Sequence, residues 1–152
     1  IAEHLLNVFT LTYPDVRIGY QDWIRFKVAK DHLLTGATGW TRYCFSDPSK
    51  SKQALNGYVA HNPQSLNAMT LNKAYLKVFT EIALKEPKDF KLMAQIHDSI
   101  LFQYRIGRED LALKVKELME IPVVIKDIKG VQRTFTVPAA LKMGKKYWSE
   151  LG

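Results

Sequence analysis

The sequence predicts an α+β fold in which antiparallel hairpins carry helices on one face and follow a helical segment. Two observations predict it. Apolar residues recur at helical spacing in four stretches, and strand-prone runs interrupted by turn residues occur between them. Antiparallel strands covered by helices on one face are typical of an α+β layer.

The first part of the chain, residues 1–46, is predicted to be mainly helical. Apolar residues group at helical spacing over residues 2–12. Pro14 then suits the first turn of a second helix, because a proline there loses no intrahelical hydrogen bond. We expect this second helix to end near Thr35 and Gly36.

A short strand and a loop are predicted next. Gly36 and Gly39 are turn residues, and the run 40–45 is rich in strand-forming side chains. Residues 46–58 are polar and contain a proline, which favours a loop. We therefore place the boundary between segments 1–46 and 47–152 in this loop.

The second part, residues 47–152, contains the longest helix and two hairpins. A helix over residues 63–84 is apolar around much of its circumference, which indicates burial on more than one side. Residues 91–105 form two apolar runs around a polar pair and predict a hairpin, with Ile96 and Leu101 facing the core. A helix over 108–120 and a hairpin turning near Gly130 complete the pattern.

The charge of the chain favours a polyanionic partner. Lys and Arg outnumber Asp and Glu by 22 to 15, which gives a net charge of +7 and a pI near 9.5. Nucleic acid is the commonest such partner. The single cysteine, Cys44, excludes an internal disulfide and fits a reducing, cytoplasmic or other intracellular location. No apolar run approaches the roughly 18 residues of a membrane span, so we expect no membrane partner.

The pair His97-Asp98 is the sharpest candidate for chemistry. A carboxylate at the tip of a hairpin points into solvent, where it could bind Mg²⁺, which prefers oxygen ligands. Such an ion could serve phosphoryl transfer. Asp is also a common turn residue without any such role, and both interpretations stay open on these residues alone.

Other chemical patterns in the sequence are poor. The chain has no glycine-rich phosphate loop, no nucleophile elbow and no Cys/His metal spacing. Cys44 is better explained as a buried thiol than as a nucleophile. Lys145 and Lys146, beside two aromatic residues near the end of the chain, could bind phosphates or simply form a solvated edge.

Five segments resemble, in order, segments of the A-family DNA polymerases, the group that contains bacterial DNA polymerase I and many phage replicases. The segments are FTLTYPDV, TGATGWTRYCF, NPQSLNAMTLNKA, AQIHDSILFQY and KMGKKYW. The fourth is similar to the catalytic motif in which a His-Asp pair lies at the tip of a palm hairpin. The third is similar to the start of the long palm helix. The resemblance identifies the chain as a C-terminal, palm-side portion of such a polymerase.

The resemblance implies a role for each matching residue. Asp98 would help bind the catalytic Mg²⁺ ions, and His97 would lie near the primer terminus. Gln64 would face the minor groove of primer–template DNA, with Arg42 and Asn62 nearby. Donors there can test the shape of a base pair without reading its sequence, because every correct pair presents acceptors in the minor groove. Deoxynucleoside triphosphates would be the substrates.

Some expected groups are missing from the chain. Many family members have Glu after the motif Asp, where this chain has Ser99. The family takes a second metal-binding Asp from an earlier palm strand, and nucleotide-binding residues from the fingers. No such segment precedes Ile1, so we expect a fragment that is inactive until an upstream polymerase segment supplies the fingers and the rest of the palm.

Three hypotheses follow. The first is the metal-binding palm portion of a DNA-directed DNA polymerase, a nucleotidyltransferase of DNA replication. The second is a non-catalytic nucleic-acid-binding module derived from such a palm, which the Ser99 substitution favours. The third is an α+β interaction domain whose positive charge is incidental.

Overall fold

The computed structural model describes residues 2–126 and 130–144. Helices and short antiparallel hairpins make up this part of the chain, which confirms the predicted α+β class. The α-helices are α1 (Ala2–Thr12), α2 (Asp22–Asp31), α3 (Lys52–Val78) and α4 (Glu109–Met119), and π-helical turns cover Asp15–Gln21 and Phe79–Ala83. The strands are β1 (Leu33–Thr35), β2 (Thr41–Tyr43), β3 (Phe90–Ile96), β4 (Ser99–Tyr104), β5 (Pro122–Lys126) and β6 (Gln132–Thr136).

The chain divides into two compact units, Ile1–Leu66 and Asn67–Gly152. This division falls inside α3, whereas the sequence placed a boundary near residue 46; that boundary stays a prediction about domains. Within the described residues, the strands pair as β1–β2, β3–β4 and β5–β6, all antiparallel. None of the described helices is both long enough and apolar enough to cross a bilayer.

The first unit has its own core. Its buried residues come from α2, β1 and the first half of α3, with Cys44 between them: Ile24, Val28, Leu34, Cys44, Leu55 and Tyr58. Burial raises the pKa of the Cys44 thiol, so the lone cysteine is the buried thiol that the sequence favoured.

Residues 33–35, predicted as the end of a helix, form β1 instead. Helix α2 stops at His32, whose backbone is left-handed with φ 52°. The chain then reverses through a turn and pairs Leu34 with Arg42. Because Leu34 is fully buried in the core of this unit, its packing outweighs the helical pattern of the preceding residues.

The predicted loop over 46–58 is wrong from residue 52 onward, because α3 begins there. Ser51 caps the helix, since its hydroxyl accepts a hydrogen bond from the Ala54 N–H over 3.1 Å. Leu55 and Tyr58 on the first turns are buried in the core of the first unit. Their packing holds the polar segment in a helix that local propensity alone would not favour.

Helix α3 also continues through Pro63, where the sequence predicted that it begins. A proline inside a helix has no N–H to donate to the carbonyl four residues earlier, which here is Val59. The Tyr20 hydroxyl donates to the Val59 carbonyl oxygen over 2.7 Å. A side chain from a neighbouring segment thus satisfies the acceptor that Pro63 leaves without its helical partner.

The second unit is built on the β3–β4 hairpin, α4 and the end of α3. One face of the hairpin carries Leu92, Ile100, Phe102 and Tyr104 against a core of Val78, Ile82, Phe90, Leu111, Val115 and Leu118. The predicted hairpin over 91–105, the helix over 108–120 and the last hairpin are therefore confirmed. Gly130 lies in the last turn with φ 79°.

A β-bulge changes the side-chain pattern of this hairpin. Leu92 pairs with Phe102 but Ala94 pairs with Leu101, so Met93 is an extra residue in β3. Paired residues share a face, so beyond the bulge Ile96 lies on the opposite face from Leu92. Ile96 and Leu101 are half-buried outside the core cluster, and the prediction that they point into the core is wrong for this reason.

Charged side chains close the base of the same hairpin. Arg108 donates to Asp89 over 2.8 Å and to both carboxylate oxygens of Asp110, over 3.0 and 3.1 Å. Arg105 also reaches Asp89, over 3.4 Å. The hydrogen bonds from Arg108 hold the pKa of Asp110 below its ordinary value. The end of β4 and the start of α4 are thereby tied to the residue that precedes β3.

We expect the Tyr20 hydroxyl to stabilise the fold, because it donates to the carbonyl that Pro63 leaves without its helical partner. Tyr20→Phe should lower the free energy of unfolding by on the order of 1 kcal/mol, since it leaves the partly buried Val59 carbonyl without a donor. Pro63→Ala restores a backbone N–H, so the Tyr20→Phe loss should shrink in that background. A double-mutant cycle of urea unfolding measures this coupling. Tyr13→Phe, at an exposed tyrosine of the same unit, is the control, and additive losses would contradict the interpretation.

The Arg108–Asp110 pair should make the second unit sensitive to acid. The folded-state pKa of Asp110 is lowered, so its stabilising contribution is present above the ordinary aspartate pKa of about 3.9 and is lost as the pH falls through the folded value. Protection of the β4 and α4 amides against hydrogen exchange, relative to their intrinsic exchange rate at each pH, should therefore fall below about pH 4. Asp110→Asn should reduce this pH dependence, and an unchanged pH profile in that variant would contradict the assignment.

Candidate functional site

The tip of the β3–β4 hairpin places the sequence-predicted catalytic pair in solvent. Ile96 pairs with Ser99, so His97 and Asp98 form a two-residue turn, and both are exposed. The prediction that Asp98 lies exposed at the turn is confirmed. An exposed carboxylate on a paired hairpin has the chemistry and the freedom that a hard cation requires.

His97 has a backbone conformation that is unusual for its residue type. Its φ is 52°, in the left-handed region, which His adopts more readily than most side chains but which is still strained. The left-handed residue lets a turn of only two residues connect β3 to β4. The position of Asp98 at the end of the hairpin therefore depends on the backbone of His97.

Ser99, where many polymerases of the family resembled have Glu, has a local structural role. Its hydroxyl donates to the Ile96 carbonyl oxygen over 2.8 Å, which closes the turn from the side chain. Farther down β3, the Gln95 amide donates to the Asn72 side-chain oxygen on α3, over 3.2 Å. Sequence reasoning missed Asn72, because a single amide in a helix has no pattern that predicts its partner.

Among residues 2–126 and 130–144, no three His, Cys, Asp or Glu side chains come together as a metal site. Asp98 therefore belongs to no such three-residue cluster within this part of the chain. The predicted Mg²⁺ site takes a second carboxylate from outside the chain, and the described residues do not test it.

The first unit contains the other predicted DNA contacts. Arg42 on β2 donates to the Gly57 carbonyl oxygen of α3 over 3.0 Å, and its guanidinium lies 5.3 Å from the centre of the Tyr58 ring. The Tyr58 hydroxyl is fixed in turn by the backbone of Ser46, over 3.0 Å. Arg42 is therefore exposed but held in one orientation, with further N–H donors to spare.

Gln64 lies on the same side of α3 as Gly57, where Arg42 is held. Seven residues make nearly two helical turns, so the two positions align with a separation of about 10 Å along the axis. Gln64 is exposed, and its amide can donate to a partner. Arg42 and Gln64 thus form one exposed stripe of hydrogen-bond donors, which we call the donor stripe.

Asn62 differs from these two residues because its side chain turns into the first unit. Its amide hydrogen-bonds Tyr20, and its side-chain oxygen is buried without a partner among the described residues. A side chain at Gly36 would place its Cβ 3.4 Å from that oxygen. The geometry gives Asn62 a structural position, and its DNA contact stays a prediction. Lys145 and Lys146 lie outside the described residues.

Comparisons with known proteins identify no family for the chain: no family model matches it, and no curated protein matches it significantly. The resemblance to A-family DNA polymerases accordingly rests on the five sequence segments.

We expect the conformation of His97 to limit which residues position 97 tolerates. His97→Val should lower the free energy of unfolding by about 1–2 kcal/mol, because a β-branched side chain strongly disfavours a positive φ. His97→Asn should cost little, since Asn tolerates this region. Urea unfolding followed by circular dichroism measures both. Equal stability of the two variants would mean that the turn does not require a left-handed residue.

Proposed function

We propose that the chain is the metal-binding, C-terminal palm portion of an A-family DNA-directed DNA polymerase. The observation that carries the proposal is the His97-Asp98 pair, which forms the exposed two-residue tip of an antiparallel hairpin. Similarity of the surrounding segment to the family's catalytic motif supports the same assignment. The net charge of +7 suits a nucleic-acid substrate.

In this proposal the reaction is nucleotidyl transfer. The primer 3′-hydroxyl attacks the α-phosphate of a deoxynucleoside triphosphate in line, the bond to the leaving pyrophosphate breaks, and the new phosphodiester forms. Mg²⁺, when bound, stabilises the attacking and leaving oxygens. Asp98 would hold the metal together with a carboxylate from the upstream polymerase segment, which also supplies the fingers and the rest of the palm.

The remaining predicted residues would position primer–template DNA. His97 would lie beside the primer terminus, and the donor stripe of Arg42 and Gln64 would meet minor-groove acceptors that all correct base pairs share. The fixed orientation of Arg42 supports such a role, because an ordered donor loses less conformational entropy on binding. Lys145, Lys146 and Asn62 are further proposed contacts.

A non-catalytic nucleic-acid-binding module is the second candidate. Ser99 favours it, because the residue that replaces the family's Glu carries no charge and donates its hydroxyl to the Ile96 carbonyl. Such a module would bind DNA without extending a primer. The two candidates make different predictions for Asp98. In a polymerase its carboxylate sets the rate of primer extension, whereas in a binding module its removal changes no activity.

We expect Asp98→Asn to abolish most activity in the polymerase that contains this chain. The change keeps the size of the side chain but removes the charge that binds Mg²⁺. The rate of primer extension should fall by at least about 10³-fold, equivalent to roughly 4 kcal/mol of transition-state stabilisation. Single-turnover extension at saturating deoxynucleotide measures the effect.

Two controls isolate the role of the charge. Ser99→Ala removes a hydroxyl at the neighbouring position and should change the rate far less. Primer–template affinity and circular dichroism of Asp98→Asn should stay close to those of the unmodified protein, because the carboxylate is exposed. Near-normal extension by Asp98→Asn would refute the catalytic assignment and leave the binding module as the better hypothesis.

A further inference from the structure

A groove in the first unit is separate from the residues proposed above. It encloses about 950 Å³. The segment 17–29 forms one wall, and the segment 47–59, which includes the start of α3, forms the other. Neither Arg42, Gln64, His97 nor Asp98 lines it.

Positive charge dominates the lining of this groove. Arg17, Arg25 and Lys52 contribute cations, and Asp47 is the one carboxylate among the described lining residues. Asp47 accepts hydrogen bonds from the Ser49 backbone N–H and hydroxyl, over 2.8 and 2.7 Å. Lys50 Nζ also lies 3.7 Å from this carboxylate. The three cations outnumber the single carboxylate, so the lining carries a net positive charge.

An aromatic ring and apolar side chains line the same groove as the cations. Phe26 lines the groove with 66% of its surface exposed. Leu55 and Val59 of α3 form an apolar part of the lining, and the Asn56 amide adds a hydrogen-bonding group. Phe26 follows Arg17 and Arg25 in the same wall. The groove therefore has both a surface on which a ring can stack and cations suited to phosphate groups.

We propose that this groove binds single-stranded nucleic acid. Arg17, Arg25 and Lys52 would contact successive phosphates, and an unpaired base would stack on Phe26. Sites for single strands combine a positively charged groove with exposed aromatic side chains. Duplex DNA keeps its bases stacked on one another, so it could use the cations but not the ring. An acidic protein segment would be attracted by the charge but would gain less from a stacking platform.

The groove does not depend on the proposed polymerase chemistry. Its residues lie in the first unit, whereas Asp98 belongs to the second. Asp98→Asn should therefore leave oligonucleotide binding unchanged, and loss of groove binding would say nothing against metal binding at the hairpin. Failure of one proposal can thus be told from failure of the other.

The test is fluorescence anisotropy of the full chain with a labelled oligothymidylate of 12 nucleotides, over a range of salt concentrations. Arg17→Gln combined with Lys52→Gln should weaken binding by about tenfold or more at low salt. The salt slope should fall by about 1.4, because each neutralised phosphate contact on a single strand contributes about 0.7. Phe26→Leu keeps an apolar side chain but should weaken binding by about fivefold or more through lost stacking.

A matched control separates the groove from the overall charge. Lys30→Gln combined with Lys85→Gln removes the same charge at exposed positions that do not line the groove, and it should change affinity by less than about threefold. Circular dichroism confirms that each variant is folded. Equal losses in groove and control variants, an unchanged affinity in Phe26→Leu, a preference for duplex, or no binding would each overturn the proposal. Displacement of the oligonucleotide by polyglutamate as readily as by unlabelled oligothymidylate would instead assign the groove to an acidic protein segment.

Discussion

The course of α3 depends on one hydrogen bond, from the Tyr20 hydroxyl to the Val59 carbonyl oxygen. Pro63 would otherwise leave this carbonyl without a donor in the middle of a helix of 27 residues. With the acceptor satisfied, the helix can carry Leu55 and Tyr58 into the core of the first unit and Val78 into the core of the second. Both cores therefore draw on a helix that its own sequence would interrupt.

The two proposed binding features in the first unit use positive charge differently. In the donor stripe, Arg42 is fixed by the Gly57 carbonyl and the Tyr58 ring, so its geometry exists before a ligand arrives. In the groove, Phe26 is exposed and Arg25 pairs with an exposed carboxylate, that of Asp22, over 3.3 Å. A donor that is already ordered favours ligands of one geometry. Exposed cations instead favour affinity for a flexible polyanion, whatever its conformation.

Sequence patterns predicted the elements that are governed by local chemistry. The two apolar runs around His97-Asp98 were enough for the hairpin, and the acidic start and basic end of α4 were enough for that helix. Sequence patterns could not predict contacts between residues that are distant in the chain. The helical state of residues 52–62 comes from tertiary packing of Leu55 and Tyr58. No local pattern shows that a tyrosine 39 residues before Val59 would donate to the carbonyl that Pro63 leaves without its helical partner. The candidate catalytic tip was thus predictable, but the inward orientation of Asn62 and the groove were not.

Because of the bulge at Met93, the number of residues in β3, as well as their types, decides which side chains face the core. One extra residue shifts the alternation of β3 by one position, so even-numbered residues share the core-facing side near the base, whereas odd-numbered residues share it near the tip. A simple alternation of polar and apolar residues would therefore fail here. Removing Met93 would make the pairing regular and, because Ile96 would still pair with Ser99, would leave the side chains toward the tip on their present faces. A relative with a one-residue gap at this position would therefore lose the bulge and still present the same residues to the core.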